Sequence, residues 1–400
     1  MKMLRLLTLL LLAVPFTFTC HLCLLPGGEG WHANAYAENE EETTMITGTP
    51  TWENVKPLGR THQLSDALWM CFSGTGAEFT FHGSRCEVTI AGDNNAYPSK
   101  RDELVRLAIY VDGVRVVDDM IDEKEKTFTV LDAAEARDVV VRIVKLSETA
   151  MSTCGIRSIS VDDPAGIRPT PAKARRIEAI GDSITCGYGV DDEVAEHHFS
   201  TTTEDVTRAY AYRTAEMLDA DYSLVSISGY GIISGYTATG EEKVTAQQLP
   251  KFYEKLGFSY GTFQKKIAAT IKWDFDAFRP DIIVINLGTN DDSYTLDNPE
   301  RREEYRAAYV EFLKVVRRNN PDATILCTLG VMGDRLYPMV YRAVQDYTAE
   351  TGDTNIHSMK FDVQKASDGY VADWHPTAVT HGKAAEKLAA EIREVMGWAE

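Results

Sequence analysis

Two hydrophobic periods divide the chain. Between residues 52 and 163, apolar and polar positions alternate in short runs: Glu-Phe-Thr-Phe-His at 78–82, then Gly83-Ser84, then Cys-Glu-Val-Thr-Ile at 86–90. Such alternation is the mark of half-buried strands with a turn between them. Runs at 107–111 and 114–117 flank Asp112-Gly113, a pair suited to a two-residue hairpin because both turn positions need positive φ. Further runs at 127–131, 139–144 and 156–161 bring the expectation to at least six strands, an all-β sandwich over 52–163.

Pro164, Pro169 and Pro171 then crowd a stretch that reads as a linker, 164–174. Beyond it the period changes. Apolar strands are expected at 177–180, 223–227, 282–285, 324–329 and 356–361. Helices are expected at 209–218, 301–318, 341–351 and 380–396. The run Ile-Ile-Val-Ile at 282–285 has no polar face, as in a strand buried on both sides. Alternating strands and helices imply an α/β domain over 175–400, a parallel sheet between helical layers. In such sheets ligands gather at the carboxyl ends of the strands.

The first 37 residues read as an address. Lys2 and Arg5 precede an apolar run from 6 to 20, and Ala35-Tyr36-Ala37 is a small-x-small cleavage site. That pattern is a secretory signal peptide, with a retained anchor as the alternative. Residues 38–51, acidic and Thr-rich, read as a flexible leader. Cleavage would remove Lys2, Arg5 and Glu29, taking the net charge from −19 to −20. So acidic a chain is a poor partner for nucleic acid or for an anionic membrane surface. Of seven cysteines, Cys71, Cys86, Cys154, Cys186 and Cys327 would remain, an odd number without metal-binding spacing. No metal and no cofactor is expected.

Four short motifs fall at predicted strand ends. Ser183 lies in Ile-Gly-Asp-Ser-Ile-Thr, after the first strand of the α/β half. Gly229, with Gly231 as the weaker choice, lies in Ser-Gly-Tyr-Gly, Asn290 in Asn-Leu-Gly-Thr-Asn-Asp, and His375 in Asp-Trp-His-Pro. Each alone is an ordinary turn. Together they set a hydroxyl nucleophile, backbone and amide donors, and an imidazole base at one edge of a sheet. His197-His198 reads as a solvated loop, His381 as part of the last helix, and Cys186 as a packed thiol.

In that order the four blocks resemble the SGNH (GDSL-type) hydrolase superfamily, over about residues 175–396. With the sandwich in front, Gly-Asp-Ser-Ile-Thr-Cys-Gly-Tyr-Gly and Asp-Trp-His-Pro are similar to carbohydrate esterase family 2. That resemblance implies a jelly-roll-like N-terminal domain on an SGNH-type three-layer α/β/α domain. It implies an acetylxylan esterase-like enzyme whose partner is an acetylated polysaccharide or oligosaccharide. Ser183 corresponds to the nucleophile and His375 to the base; Ser183, Gly229 and Asn290 correspond to the oxyanion hole. The superfamily usually sets an acid three residues before the histidine, where this chain has Ala372; Asp373 is one residue later. Either Asp373 orients His375, or a backbone carbonyl does and the pair is a dyad. Trp374 and Tyr230, beside the motifs, are candidate sugar contacts. The alternatives are an SGNH lipase or thioesterase, and a glycan-binding protein with a vestigial hydrolase domain.

Overall fold

In a computed structural model, which describes residues 44–399, the alternating runs of the first half form one ten-stranded antiparallel sheet. The expected signal peptide and the first part of the leader lie outside the described residues. Two pairs of expected strands prove continuous: 78–82 and 86–90 belong to Gly76–Gly92, and 127–131 and 139–144 belong to Glu125–Lys145. The supposed turn at Gly83-Ser84 is a bulge. Register shifts between Gly83 and Arg85, and the Asp162 carboxylate accepts the N–H groups of Ser84 and Arg85. A Cβ at Gly83 would sit 2.0 Å from the Asp162 Oδ1. Bending there lets each long strand serve in two leaves that fold over one core. One leaf continues into Val105–Val111 and Val114–Ile121, the other into Cys154–Val161. Phe79, Phe81, Val88, Ile109 and Val141 meet between them. The hairpin at Asp112-Gly113 is as expected, with φ of 49° and 82°.

The leader and linker are more ordered than their composition suggests. Ile46–Gly48 pairs with Cys154–Val161, and Arg168–Pro169 pairs with Gly76–Gly92. The proline is tolerated because it lies in a short strand at the sheet's margin.

The second half has five parallel strands in the order Ala220–Ser226, Arg175–Gly181, Ile282–Asn286, Thr324–Val331, Ile356–Val363. Its helices are α1 (Ser183–Cys186), α2 (Tyr210–Met217), α3 (Thr289–Thr295), α4 (Pro299–Asn319), α5 (Tyr337–Thr351) and α6 (Ala378–Met396). Ile282 and Val284 pack with residues of α2 and α6, while Ile283 and Ile285 pack with residues of α4 and α5. That explains the unbroken apolar run. In sequence the sheet order is 2-1-3-4-5, so successive strands are added on one side of the first strand and then on the other, and a crevice opens at the carboxyl ends of the first and third.

The two halves share cores. Leu58, Ala108, Val144 and Leu146 of the β-module pack with Tyr222, Leu224 and α2. Trp69 stacks on Phe263, centroids 4.7 Å apart, in the long connection 227–281. Arg60 is fully buried there, bonding Glu178 of the first parallel strand at 3.2 Å and the Tyr253 and Lys255 carbonyls.

Candidate active site

The first parallel strand ends at Gly181, where a Cβ would strike the Thr185 hydroxyl at 2.0 Å. The chain therefore turns sharply. Asp182 caps α1 by accepting the Ile184 N–H, and Ser183 becomes the first helical residue. Helix geometry leaves the first N–H groups without intrahelical acceptors, so the Ser183 N–H stays available beside its own hydroxyl.

His375 approaches from the other side of the crevice. Val371 pairs with His375 across a tight hairpin, and the two residues between Ala372 and His375 both adopt left-handed backbone, φ 49° at Asp373 and 56° at Trp374. Left-handed conformations cost non-glycine residues roughly 1–3 kcal/mol each, so the turn must be held. The 192–200 loop holds it: the Asp373 N–H donates to the His197 carbonyl at 2.9 Å, and the Trp374 N–H to that of Ala195. Tight turning brings the Ala372 carbonyl back beneath the imidazole, 3.1 Å from Nδ1. Because a carbonyl only accepts, Nδ1 carries the hydrogen and Nε2 presents its lone pair. Nε2 lies 2.9 Å from the Ser183 hydroxyl. Burial pulls the His375 pKa down to about 4, against the opposing pull of the Ala372 carbonyl and Asp373. The ring is thus neutral and basic in form at neutral pH.

Asp373 does not reach that ring's nitrogen. The left-handed turn swings its carboxylate to the Tyr188 hydroxyl, and to His198 Nδ1 at 2.9 Å. Burial alone would raise its pKa, but bonds from Tyr188 and His198 hold it below the usual range. Of the two possibilities read from the sequence, the geometry is that of the backbone carbonyl. Tyr188, one of the aromatics that flank the motifs, stacks on His375 with centroids 3.9 Å apart.

Gly229 and Gly231 part company. The Gly231 N–H donates to the Gln247 carbonyl at 3.1 Å, whereas the Gly229 N–H has no partner among the described residues, and Gly229 lines the cleft. The Asn290 amide nitrogen donates to the Tyr230 carbonyl at 2.8 Å and lies 3.3 Å from Asp182 Oδ2, with its side chain at the cleft wall. Beneath it sit two buried carboxyls. Burial raises Asp182 to about 7, with a contribution from Asp291; burial likewise lifts Asp291 to about 6, although it accepts the N–H groups of Ile232, Ile233 and Ser234.

The cleft measures about 480 Å³ and contains Ser183, Gly229, Asn290, His375, Trp374 and Tyr236. Trp374 is 52% exposed and Tyr236 60%. Tyr230, expected beside the sugar, is instead buried against Phe252 and Phe258 and does not line the cleft; its carbonyl accepts the Asn290 amide. Tyr236 was missed because the 227–281 connection carries no period to read. The five cysteines among the described residues are free and buried; Cys186 faces Ser226 and Glu148. Among the described residues no group of three or more His, Cys, Asp or Glu could hold a metal ion, and no helix is long and apolar enough to cross a membrane.

Residues 179–383 match the GDSL-like lipase/acylhydrolase family. The chain belongs to that family. Residues 58–171 match the carbohydrate esterase 2 N-terminal domain, so both modules read from the sequence are those of carbohydrate esterase family 2. The class is that of carboxylic ester hydrolases. A cellulase/esterase of Acetivibrio thermocellus is 30% identical over 337 residues, covering 82% of this chain but only 38% of that protein. An acetylxylan esterase / glucomannan deacetylase of Cellvibrio japonicus is 26% identical over 86% of this chain and 90% of its own. An acetyl xylan esterase structure from Butyrivibrio proteoclasticus superposes with a TM-score of 0.80 at 24% identity, over 89% of this chain and all of that one. Its β-module followed by a parallel α/β/α domain is the fold described above.

Proposed function

We propose that the protein is an exported carbohydrate O-acetylesterase that removes acetyl groups from plant polysaccharide of the xylan or glucomannan type. The observation that carries this reading is the line of contacts from the Ala372 carbonyl through His375 to the Ser183 hydroxyl, opening on a cleft with free N–H donors. The named activities of the relatives support the choice of acetyl sugar esters. Exposed aromatic faces at Trp374 and Tyr236 suit a pyranose ring, and a net charge of −19 needs no charge complement on a neutral glycan.

In this mechanism His375 Nε2 takes the Ser183 proton as Oγ attacks the acetyl carbon. The carbonyl electron pair moves onto oxygen, which is received by the Ser183 and Gly229 N–H groups and by the Asn290 amide, one N–H of which turns to it from Asp182. Collapse breaks the bond to the sugar oxygen, which departs with the proton from Nε2 and leaves acetyl on Oγ. Water then gives a proton to Nε2 and attacks; Oγ leaves, regains the proton, and acetate is released. The Ala372 carbonyl steadies Nδ1–H throughout, while the charge of the oxyanion offsets the cost of a buried imidazolium.

Acetate release from acetylated glucomannan and xylan tests the reading. Release by the wild type that disappears in Ser183→Ala supports it, and equal release by the variant rejects it. A profile of p-nitrophenyl esters rising toward long acyl chains would move the assignment to a lipase.

A further inference from the structure

Behind the Ser228–Gly229 turn lies a buried acidic group contributed by the other module. Lys145 ends the long strand Glu125–Lys145, and Glu148 follows three residues later. Both are buried, as is Glu204 from the loop before α2. Every polar group of Glu148 is engaged. Its carbonyl accepts from Lys145 Nζ at 2.6 Å, and its N–H donates to Glu204 Oε2 at 2.8 Å. Its own carboxylate accepts the Ser228 N–H at 2.7 Å and faces the Cys186 thiol, at the end of α1, at 3.6 Å. One side chain of the β-module therefore touches both the loop carrying Gly229 and the helix carrying Ser183.

A carboxylate in such a place is costly, and an aliphatic side chain would fill the same volume. What the aliphatic group could not do is accept the Ser228 N–H. That bond matters because side-chain packing does not hold the turn, and the Ser228–Gly229 peptide is set by hydrogen bonds alone. A Cβ built on Gly229, which sits at φ +80°, meets nothing nearer than Gln247 Oε1 at 3.9 Å, so packing does not fix it. The turn is anchored at three points: the Tyr230 N–H donates to the Ile227 carbonyl at 3.3 Å across it, the Gly229 carbonyl accepts the Tyr236 N–H at 2.9 Å, and the Ser228 N–H is taken by Glu148. Between these anchors lies the peptide that carries the Gly229 N–H. An oxyanion donor works only where it is aimed before charge develops.

We infer that Glu148 is a positioning residue for the Gly229 oxyanion donor, so that the N-terminal module is a working part of the hydrolase and not an appended binding domain. The inference rests on the ester-hydrolase reading above.

The test uses the full chain with p-nitrophenyl acetate, measuring kcat and KM separately. Glu148→Ala should lower kcat about 10–100-fold, below the 10²–10³ of losing a donor outright, with KM changed less than about two-fold. Glu148→Gln, which keeps the length and an acceptor oxygen, should recover kcat to within about five-fold of wild type. Should the alanine variant not fold, Glu148→Asp serves: the carboxyl group is kept but its reach is one methylene short, and its kcat should fall below that of Glu148→Gln. An unchanged kcat in Glu148→Ala, a loss in KM alone, a glutamine variant no better than alanine, or aspartate and glutamine variants both at wild-type kcat would each overturn the inference. Wild-type protein inactive on every acetyl ester would overturn the esterase reading and this inference together, whereas normal wild-type turnover with unaffected variants overturns this inference alone.

Discussion

The phenol ring of Tyr188 lies nearly parallel to the imidazole of His375, with planes 19° apart, while its hydroxyl is bonded to Asp373. The acid beside the proposed catalytic histidine thus reaches it through an aromatic ring and not through Nδ1. Asp373 orients Tyr188, Tyr188 lies flat on His375, and the Ala372 carbonyl fixes the tautomer.

Asp373→Asn distinguishes this arrangement from a triad. Where a carboxylate holds Nδ1–H, the amide costs about 10⁴ in kcat. Here the loss should stay below about ten-fold, because asparagine can still accept from Tyr188. Its lost charge, one of the groups that raise the His375 pKa, should move the acid limb of kcat/KM to lower pH. A loss near 10⁴ would restore Asp373 to the triad.

The pH profile itself follows from burial. Because desolvation depresses the His375 pKa to about 4, the free base persists well below the 6.5 of an ordinary histidine. Activity is present above that value and is lost as pH falls through it, so kcat/KM should keep its plateau to near pH 5 and halve near 4. A limb centred at 6.5 would contradict the burial of the ring.

Tyr188→Ala should move that limb the other way. Removing the stacked ring admits water to the imidazole, weakens desolvation and raises the pKa toward 6.5. The variant should lose activity at pH 5 more than at pH 8, while Tyr188→Phe, which keeps the stack, should retain its limb near the wild-type position. Initial rates across pH 4–9 provide the check.

Arg60 is the test of the join between modules. Arg60→Leu leaves Glu178 buried with only the Ser223 and Tyr253 hydroxyls as donors, and breaking a buried ion pair costs about 3–5 kcal/mol. Urea unfolding should show that loss in the midpoint. Pairing it with Glu178→Gln should recover part of it, since no uncompensated charge then remains.

The parallel strands and the Asp112-Gly113 hairpin were legible because period and turn chemistry agree at those positions. The continuous strand Gly76–Gly92 was not, since the glycine and serine of a bulge look like those of a turn. Ser183, Gly229, Asn290 and His375 were legible as a set because sheet topology brings strand ends together whatever their separation in sequence; Ser183 and His375 are 192 residues apart. Tyr230 misled because adjacency to a motif says nothing of which way a side chain faces. Arg60, Lys145 and Glu148 were invisible for the opposite reason: charged residues count as surface until a fold surrounds them.

The apolar core that runs from Leu58, Val144 and Leu146 into Tyr222, Leu224 and α2 makes part of each module's interior the property of both. A truncated chain beginning at residue 175 would show water a face built for the β-module, and heat should melt the whole in one calorimetric transition instead of two. Grafting the hydrolase half onto another protein would therefore mean carrying the sandwich along with it.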